Sequence, residues 1–523
     1  MRKLFRHATI VDGTERSPYC ADVLVEGGTI AAIGRLGEIQ SERVFECRDL
    51  ILAPGFIDIH AHSDVHVLSN PVMGAKIAQG ITTEFGGNCG IGVFPSVGDD
   101  SLAAEVLGSA SFHHWPSFAA YKEAWYRSGG GVNMGFFQAH GPLRQMVLGS
   151  QSAQKANARQ TDEMVGLLRQ SLEEGVWGLS TGLYYEPCYS ASTDELVALA
   201  QATADYGRLL AVHLRCEGNK VVESLDEMIA VARKSGVRLQ ISHLKAVGVH
   251  NQRLVDELLL RIDRATGEGL DIGFDQYPYL WGSTSLFSLL PPQYLAYDRH
   301  TLKRMLADRS ERDQMRALME EGQGWDSIVG LVGFDDITLL SLPTASHYEK
   351  MSLATIAQMR SQDPYEALFD LLQDAEGATV MGDVTQSEES LTRIMSHQRM
   401  CFGSDALYSS PSPHPRSYNA ALHLIGRYVN ETHTLSIEEA VARLTAQSAK
   451  RLALVGRGLI AEGYKADLVL FDQRRLDSSV AVGEGSQSPL DVVMVNGEVA
   501  LERGCVVGTT SGRLLVPLTG YSG

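Results

Sequence analysis

Cysteine is scarce in this sequence, and long apolar runs are absent. Only 7 of the 523 residues are cysteine, at positions 20, 47, 89, 188, 216, 401 and 505. An odd number so widely scattered does not indicate a disulfide framework and is typical of a reducing compartment. No apolar run approaches the roughly 20 residues that cross a membrane, and the start, MRKLFRHATIVDG, has no apolar stretch of the signal-peptide type. We therefore expect a soluble, cytoplasmic protein with no membrane partner.

Positive charge is also in short supply. Lysine and arginine total 45 against 63 aspartate and glutamate, so the formal net charge is −18. Such an excess of acid disfavours non-specific binding to nucleic acid or to an anionic membrane. Hydrophobic residues make up 44% and charged residues 21%, which are ordinary values for a globular protein and exclude a disordered or fibrous one. No nucleic-acid partner is expected.

The two ends of the chain share one pattern, in which apolar and polar residues alternate around glycines. It is seen in ADVLVEGGTIAAIG (21–34), AEGYKADLVLFD (461–472) and PLDVVMVNGEVALERG (489–504). Alternation of this kind predicts short antiparallel strands. Since similar β-rich segments flank a different middle, we predict one small β-sandwich domain formed by both termini, residues 1–53 and 455–523.

The middle of the chain, residues 54–454, alternates short apolar strands with amphipathic helical stretches. Eight strands are predicted, at 50–62, 80–90, 131–141, 175–185, 208–215, 237–245, 270–279 and 399–407. Eight β units that alternate with helices are typical of an α/β protein with a (β/α)₈ TIM-like barrel. The gap between strands seven and eight is far longer than one helix needs, so an inserted subdomain is predicted at about 286–346.

Residues able to bind a metal recur at the C-terminal ends of these predicted strands. They are His60 and His62 on strand one, Cys89 on strand two, His213 on strand five, His243 on strand six and Asp405 on strand eight. The carboxyl ends of barrel strands meet at one face, so these side chains are expected to converge. Imidazole, thiolate and carboxylate ligands together favour Zn²⁺ over Mg²⁺ or Ca²⁺. Each residue alone has an ordinary structural explanation, and only their coincidence at matched strand ends carries the prediction.

Several longer segments resemble one enzyme family. They are PGFIDIHAHSD (54–64), QGITTEFGGNCGIG (79–92), VNMGFFQAHGPLR (132–144), STGLYYEP (180–187), ISHLK (241–245), DQYPYLWGST (275–284), GSDAL (403–407) and PHPR (413–416). Across nearly the whole chain the sequence resembles the N-acyl-D-amino-acid deacylases, or D-aminoacylases, of the amidohydrolase superfamily. The GNCG motif is the most specific part, because most of the superfamily has a carboxylated lysine or a glutamate as bridging ligand, whereas this branch uses cysteine.

The resemblance implies a site made of metal ligands and substrate-binding residues. It implies one tightly bound Zn²⁺ on Cys89, His213 and His243, and a second, weaker position on His60, His62 and the same cysteine. Asp405 would be the catalytic carboxylate at the metal. The residues that match substrate contacts in relatives are Tyr185, Lys245, Tyr277, Ser283 and Arg416, and the last three are associated with the α-carboxylate of the substrate.

The resemblance therefore implies zinc-dependent hydrolysis of N-acyl-D-amino acids, which are small molecules that yield a carboxylate and a free D-amino acid. A Zn²⁺ lowers the pKa of bound water to about 7 and so makes this water a nucleophile at neutral pH. Asp405 is suited to take the water proton as a general base and to deliver it to the leaving amine as an acid.

Two other functions are considered. A cyclic-amide hydrolase of the dihydroorotase or hydantoinase type uses the same barrel, although such enzymes usually need a carboxylated lysine as bridging ligand. A non-catalytic zinc-binding protein is expected to lack a ligand or the base, and here all of them are present. The sequence leaves open the number of metals, the oligomeric state, and the acyl group and side chain of the substrate. Arg299 and Lys303 in the insert either meet an acidic side chain or lie on the surface of an amphipathic helix.

Overall fold

The computed structural model describes residues 1–37, 39–96, 101–108, 115–322, 324–479 and 487–518. The chain begins with five strands, β1 (Arg2–Ile10), β2 (Tyr19–Glu26), β3 (Thr29–Gly34), β4 (Arg43–Glu46) and β5 (Ile51–Pro54). The first three pair antiparallel in sequence order. Alternate side chains, such as Phe5, Val23 and Val25, are buried, which is the expected pattern for strands with one face on a core.

Short buried strands then alternate with helices. The strands are β6 (Phe56–Asp58), β7 (Ile81–Gly86), β8 (Asn133–Phe136), β9 (Gln138–Ala139), β10 (Gly178–Gly182), β11 (Leu209–His213), β12 (Arg238–Ile241) and β13 (Ile272–Gln276). Each paired neighbour is parallel. β8 and β9 are separated by Phe137 alone and occupy the one position predicted at 131–141. Nearly every residue of these strands is buried, as expected for parallel strands covered by helices.

The helices of this region are α1 (His66–Ser69), α2 (Gly74–Ile77), α3 (Ser101–Leu107), α4 (Phe118–Ser128), α5 (His140–Leu148), α6 (Ala158–Glu174), α7 (Thr193–Asp205), α8 (Val221–Ser235) and α9 (Val255–Gly267). The sequence of α6 shows why such helices form. Asn157 and Gln160 make a capping box at its start, and Gly175 ends it in the left-handed conformation. Its apolar side chains, among them Leu168 and Leu172, pack into the large core shared with the strands. In the described part of the chain, no helix is both long and apolar enough to span a membrane.

A third sheet lies between the seventh and eighth strand positions. It consists of β14 (Trp281–Ser285), β15 (Ile337–Ser341) and β16 (Val380–Val384), which pair antiparallel in the order β14-β16-β15. The helices of this segment are α10 (Pro292–Leu295), α11 (Arg299–Ala307), α12 (Arg309–Glu321), α13 (Ile328–Val332), α14 (Leu353–Arg360) and α15 (Pro364–Asp374). They enclose a separate hydrophobic core. The predicted limits of the inserted subdomain, 286–346, are too narrow, because the sheet extends beyond them at both ends. β14 lies before this range and pairs with β16, which lies after it.

The last parallel strand is β17 (Met400–Phe402), and it pairs with β13. The helices around it are α16 (Glu388–Ser396), α17 (Arg416–His423), α18 (Ile437–Leu444) and α19 (Ala446–Leu452), and a π-helical turn, Leu424–Glu431, continues α17. The N–H of Ile59, just after β6, donates to the carbonyl of Phe402 at the end of β17 (3.1 Å), so the first parallel strand is bonded to the last. The N–H of Trp177, just before β10, donates to the carbonyl of Phe136 at the end of β8 (2.8 Å). These connections fit the predicted TIM-like barrel.

The C-terminal region returns to the first sheet. β18 (Leu468–Phe471) pairs with β5, and β19 (Leu490–Val495), β20 (Glu498–Glu502) and β21 (Cys505–Val506) follow in order. The described strands of both termini form one nine-stranded sheet. The sequence predicts a β-sandwich here, whereas the hydrogen bonds join these strands into a single sheet. β1 connects the parts of the sheet, because it pairs with β4 along one stretch and with β5 along another. Residues 480–486 and 519–523 of the predicted domain lie outside the described residues.

Beyond β21 the chain runs alongside β8. The N–H of Gly512 donates to the carbonyl of Gly130 (2.8 Å), and the N–H of Leu515 donates to the carbonyl of Met134 (2.7 Å). The indole of Trp177 also donates to the carbonyl of Leu515 (3.0 Å). The terminal segment is therefore bonded to the parallel strands as well as to its own sheet.

Candidate metal and catalytic site

The six predicted metal-binding residues lie together at the carboxyl ends of the parallel strands. Two follow β6, one follows β7, one ends β11, one follows β12 and one follows β17; they are His60, His62, Cys89, His213, His243 and Asp405. Their ligand atoms form three overlapping groups, and within each group all atoms lie within 4.8 Å of one another. The groups are Cys89–His213–His243, His60–His62–Cys89 and His60–His243–Asp405. The structure thus brings all six together.

Short distances join these side chains. Sγ of Cys89 lies 3.2 Å from Nε2 of His60 and 3.6 Å from Nε2 of His243. Oδ1 of Asp405 lies 3.1 Å from Nε2 of His62. Both ring nitrogens of His213 are buried and make no hydrogen bond, and Nε2 lies 3.5 Å from Oε2 of Glu217. A buried cluster of thiol, imidazole and carboxylate fits Zn²⁺.

Carboxylates and a lysine hold the outer nitrogens of two of these histidines. Nδ1 of His60 lies 3.0 Å from Oδ1 of Asp275. Nδ1 of His243 lies 2.9 Å from Nζ of Lys245 and 3.1 Å from Oε1 of Glu217. A carboxylate that accepts the Nδ1–H of an imidazole orients the ring and leaves its other nitrogen, Nε2, for a metal, as Asp275 can for His60 and Glu217 can for His243.

The backbone at three of the six residues is left-handed. The angle φ is 54° at Cys89, 34° at His243 and 52° at Asp405. Residues other than glycine seldom adopt this conformation and keep it only where the surroundings determine it. After Cys89, Gly90 also has a positive φ of 70°, and a Cβ at that position would lie 2.6 Å from the nitrogen of Gly182 on β10. The second glycine of GNCG is therefore needed for the close approach of this loop to β10.

The surroundings favour the ionised forms of Cys89 and Asp405. Burial opposes ionisation of the Cys89 thiol, but the charge of His60 and contacts with the other imidazoles hold its pKa well below the usual value. Burial also opposes ionisation of Asp405. Nη1 of Arg416 lies 2.9 Å from Oδ2 of this carboxylate, and together with His60 it holds the pKa of Asp405 well below the usual value.

A cavity adjoins this cluster, with an empty volume of about 730 Å³ that includes the part open to solvent. Five of the six metal-site residues line the cavity, and His60 lies behind them. All the predicted substrate-binding residues line it too: Tyr185, Lys245, Tyr277, Ser283 and Arg416.

Arg416 connects the predicted carboxylate-binding residues to Asp405. Its guanidinium donates to the carbonyl of Ser283 (2.9 Å) and lies over the ring of Tyr277, 4.8 Å from the centroid. Nε of Arg416 and Oγ of Ser283 are buried and make no hydrogen bond. These two polar atoms are therefore available to a ligand.

Four carboxylates of the site were missed by sequence reasoning. Glu217 accepts a hydrogen bond from Lys245 (2.7 Å) and faces His243, Asp275 supports His60, and Asp326 and Asp383 line the cavity. Glu217 lies four residues after the predicted ligand His213, and Asp275 is the first residue of DQYPY at the end of a strand. Their positions along the chain could therefore have indicated that they lie near the site. Asp383 lies on β16 of the inserted segment, where the sequence offers no such signal.

The whole chain is similar to enzymes of one family. A family model for the amidohydrolase family matches residues 43–500. D-aminoacylase from Alcaligenes xylosoxydans xylosoxydans is 30% identical over 519 residues, which cover 98% of this chain and 97% of that protein. N-acyl-D-glutamate deacylase from the same organism is 32% identical over 465 residues, which cover 88% of this chain and 86% of that protein.

Solved structures show the same relationship. The structure of N-acyl-D-glutamate deacylase from Bordetella bronchiseptica, in complex with zinc and a phosphonate inhibitor that mimics the tetrahedral intermediate, matches with a TM-score of 0.84 at 28% identity over 98% of this chain and 99% of that chain. D-Hydantoinase is more distant, with a TM-score of 0.57 at 16% identity over 98% of each chain, and shares the fold alone. This chain therefore belongs to the amidohydrolase family and, within it, to the D-aminoacylases, or N-acyl-D-amino-acid deacylases.

Proposed function

We propose that this chain hydrolyses the amide bond of N-acyl-D-amino acids with Zn²⁺ as cofactor, releasing a carboxylate and a free D-amino acid. The observation that carries the proposal is the group Cys89, His213 and His243 next to Asp405, all on the wall of one cavity. The activities named for its full-length relatives, D-aminoacylase and N-acyl-D-glutamate deacylase, support the same reaction.

The protonation of the side chains supports one tight zinc position and one weaker position. In the group Cys89–His213–His243, burial lowers the pKa of His213, and the thiol of Cys89 is ionised, so these two ligands are ready to bind at neutral pH. Burial and Lys245 lower the pKa of His243, but Glu217 and Cys89 raise it above the usual value, so this ligand also favours its protonated form. In the second group, burial lowers the pKa of His62, but hydrogen bonds with Asp405 and Cys89 raise it to about 9. This imidazole must lose a proton before it can bind a metal, which weakens the second position.

Asp405 is placed to move the proton of the reaction. A bound Zn²⁺ supplies Lewis acidity, which lowers the pKa of a water molecule and polarises an amide carbonyl. The ionised carboxylate of Asp405 lines the cavity and acts as the base that takes the proton of the attacking water. It then returns the proton to the amide nitrogen, because an amine leaves only after protonation.

Three residues on one side of the cavity are suited to the α-carboxylate of the substrate. The planar guanidinium of Arg416 can donate two parallel hydrogen bonds to a carboxylate, and Oγ of Ser283 is an unused donor. Tyr277 lies against the guanidinium. Lys245 adds a positive charge to the cavity wall, and Tyr185 lies on the same wall.

We also infer the domain organisation and location that the sequence predicts. Residues 54–454 form the barrel, closed between β6 and β17, and residues 1–53 and 455–523 form the small β domain. The segment between β13 and β17 forms an inserted subdomain, which contributes Ser283, Ile328 and Asp383 to the cavity wall. All seven cysteines are free thiols in the structure, which supports a reducing, cytoplasmic location.

The test is a substrate panel with purified protein. N-acetyl-D- and N-acetyl-L-amino acids, a dihydropyrimidine and a hydantoin are assayed before metal removal, after chelation and after zinc is added back. We expect amine release from the D substrates alone, lost on chelation and restored by zinc. Hydrolysis of the cyclic amides without that of the linear substrates would instead support the hydantoinase-type alternative.

Asp405→Asn extends the same test to the catalytic carboxylate. We expect kcat to fall by about 10²–10⁴-fold while the zinc on Cys89, His213 and His243 is retained. Asp205→Asn is the matched control, because Asp205 forms an exposed ion pair with Arg169. Activity that survives both chelation and Asp405→Asn contradicts the proposed function.

A further inference from the structure

An ion pair joins the inserted segment to the region after β7. Arg299 begins α11, and its guanidinium pairs with the carboxylate of Glu105 on α3. The hydroxyl of Ser285, at the end of β14, also donates to Glu105. The Glu105 side chain is only 6% exposed and that of Arg299 is 26% exposed. The guanidinium lies over the ring of Phe287, 3.5 Å from the centroid, which further restricts it.

This ion pair lies beside the candidate active site. A smaller cavity, with an empty volume of about 320 Å³, is lined by Arg299, Ser285 and Tyr185, and Tyr185 also lines the main cavity. The chain neighbours of Glu105 and Ser285, which are Val106 and Thr284, line the main cavity directly. Arg299 is therefore a cation of the insert that lines the smaller cavity, and Tyr185 separates this cavity from the space for substrate.

Each lysine or arginine that lines one of the two cavities already has a carboxylate partner. Among the described residues that line the two cavities, the lysine and arginine side chains are Lys245, Arg416 and Arg299. Their ion pairs are Lys245–Glu217, Arg416–Asp405 and Arg299–Glu105. Lys303, the other basic residue considered for an acidic side chain, lines neither cavity.

The rest of the main cavity offers acidic and apolar groups. Asp326 and Asp383 add two carboxylates to its wall. Its aliphatic side chains are Ile91, Val106, Val247, Ile328, Leu331 and Leu407. With the unused Nε of Arg416 assigned to the α-carboxylate, a second carboxylate on the substrate would lose its hydration without gaining a free cation, which is costly. An apolar side chain instead gains from burial against the aliphatic wall.

We propose that the Glu105–Arg299 ion pair sets the side-chain preference of the site, so that it accepts N-acyl-D-amino acids with apolar side chains and rejects those with acidic ones. Glu105 acts as an internal counter-ion. It occupies the guanidinium that would otherwise receive a side-chain carboxylate of the substrate. This inference rests on the proposed function, because it concerns the amino-acid part of the same substrate.

The first test uses the zinc-loaded wild-type enzyme with N-acetyl-D-methionine, N-acetyl-D-leucine, N-acetyl-D-glutamate and N-acetyl-D-lysine. We expect kcat/KM to be at least about 100-fold higher for the two apolar substrates than for the glutamate substrate. Equal values for glutamate, or higher values for lysine, overturn the side-chain proposal and leave the proposed function standing. Failure to hydrolyse any of the four overturns both.

The second test releases Arg299. Glu105→Gln removes the charge and keeps an acceptor for Ser285, and we expect the kcat/KM ratio of the glutamate substrate to the methionine substrate to rise about tenfold. Arg299→Met, added to this variant, should cancel the rise. Arg299→Met alone should lower the ratio below that of the wild type, because it removes a positive charge and keeps the carboxylate of Glu105.

The control for this test lies elsewhere in the insert. Glu366→Gln removes one of the two carboxylates that pair with Arg312, each 2.8 Å away. Arg312 lines neither cavity, so the ratio should stay at the wild-type value. Zinc content and thermal unfolding are measured for every variant. If Glu105→Gln does not fold, Arg299→Met alone decides. If a folded, zinc-loaded variant of Glu105 or Arg299 keeps the wild-type ratio of kcat/KM for the glutamate and methionine substrates, the ion pair is only structural and the proposal is overturned.

Discussion

At the scale of single residues, Cys89, His243 and Asp405 each present a ligand atom from a left-handed backbone. Such a conformation costs about 1–3 kcal/mol for each residue and persists where neighbouring contacts determine it. Here the contacts are visible. The carboxylate of Asp275 accepts a hydrogen bond from the N–H of His243 (2.9 Å), and the N–H of Asp405 donates to the carbonyl of His60 (2.8 Å). The protein alone therefore holds the ligand atoms close together.

Glu217 is predicted to support the tight zinc position without binding the metal. Glu217 contacts His243 and compensates the charge of Lys245. In Glu217→Gln the ammonium of Lys245 lies beside the candidate ligand His243 and has lost its counter-ion. We expect the zinc affinity to fall about 10–100-fold, as measured by competition with a chromophoric chelator. Glu227→Gln, which loses an ion pair with Arg215, is the control. Equal zinc affinities for the two variants contradict a supporting role for Glu217.

Zinc uptake is predicted to release protons from the second position. Burial lowers the pKa of His62, but its hydrogen bonds with Asp405 and Cys89 raise it to about 9. The pKa of His60 is also raised, against burial, by Cys89 and Asp275. Both imidazoles are therefore protonated at pH 7 and must become neutral to bind. Affinity at this position should rise from about pH 6 to pH 9, by up to about tenfold per pH unit for each proton released.

Calorimetric titration of metal-free protein in buffers with different ionisation enthalpies measures this release. The first zinc, on Cys89, His213 and His243, should release fewer protons than the second. Binding of the second zinc without proton release at pH 7, or an affinity that does not change with pH, contradicts the prediction.

The candidate metal ligands were predictable because chemistry and position coincide. His60, His62 and Cys89 are recognisable ligand types at the ends of strands, and parallel strands bring their ends to one face. Glu217 and Asp275 also lie at or just after strand ends, but the sequence does not show which side chains they touch. Their roles depend on those contacts, which come from the three-dimensional packing, so the two residues were not predicted.

At the scale of the elements, Asp58 on β6 joins the first parallel strand to the loop after β17. Its Oδ1 accepts hydrogen bonds from the N–H groups of His60 (3.2 Å) and Ser404 (2.8 Å). Its Oδ2 accepts from Nζ of Lys76 on α2 (2.6 Å), which also pairs with Glu84 on β7 (2.9 Å). All of these side chains are fully buried. One cluster of charges therefore links four segments directly beneath the metal site.

Lys76→Met is predicted to destabilise the fold strongly. The substitution keeps a similar volume but leaves Asp58 and Glu84 as buried carboxylates without a counter-ion, which costs about 3–5 kcal/mol. The urea midpoint of zinc-loaded protein measures the loss. Arg233→Met, which removes an exposed ion pair with Glu268, should cost less than about 1 kcal/mol. Similar midpoints for the two variants would show that the cluster contributes little to stability.

The elements of the parallel region were predictable, and those of the insert were less so. Buried strands such as β11 and β12 are short apolar runs between amphipathic helices, and this alternation is local in the sequence. In the insert, β14 pairs with β16 across many intervening helices. A pairing between distant strands has no local signal, so the sequence predicted a segment that ends too early.

At the scale of the whole molecule, the two chain ends meet in one sheet and the C-terminal segment then bonds to β8. This segment approaches so closely that a Cβ on Gly512 would lie 2.0 Å from the carbonyl oxygen of Val132. The sequence predicted a shared terminal domain from alternating patterns. It contained no signal for the contact with β8, because the segment pairs through its backbone.

Gly512→Val is predicted to detach this segment and lower the stability of the whole protein. Side-chain atoms cannot fit against the carbonyl of Val132, so we expect a loss of about 1–3 kcal/mol and a lower thermal midpoint. Gly267→Ala is the matched control, because a Cβ there meets no atom within 4 Å. A wild-type midpoint for Gly512→Val would show that the contact of the C-terminal segment with β8 is dispensable.

The contact of Asp58 with Ser404 has a consequence for synthesis of the protein. The two residues are separated by 346 positions in the chain, and a ribosome needs about 17–70 s to cover that distance at 5–20 residues per second. During this time Asp58 lacks the two donors of Ser404, its N–H and its hydroxyl. His62 lacks Asp405, the carboxylate that faces it. A translation product that stops before Asp405 lacks the carboxylate proposed as the base. The proposed hydrolysis therefore requires a chain made through to its last parallel strand.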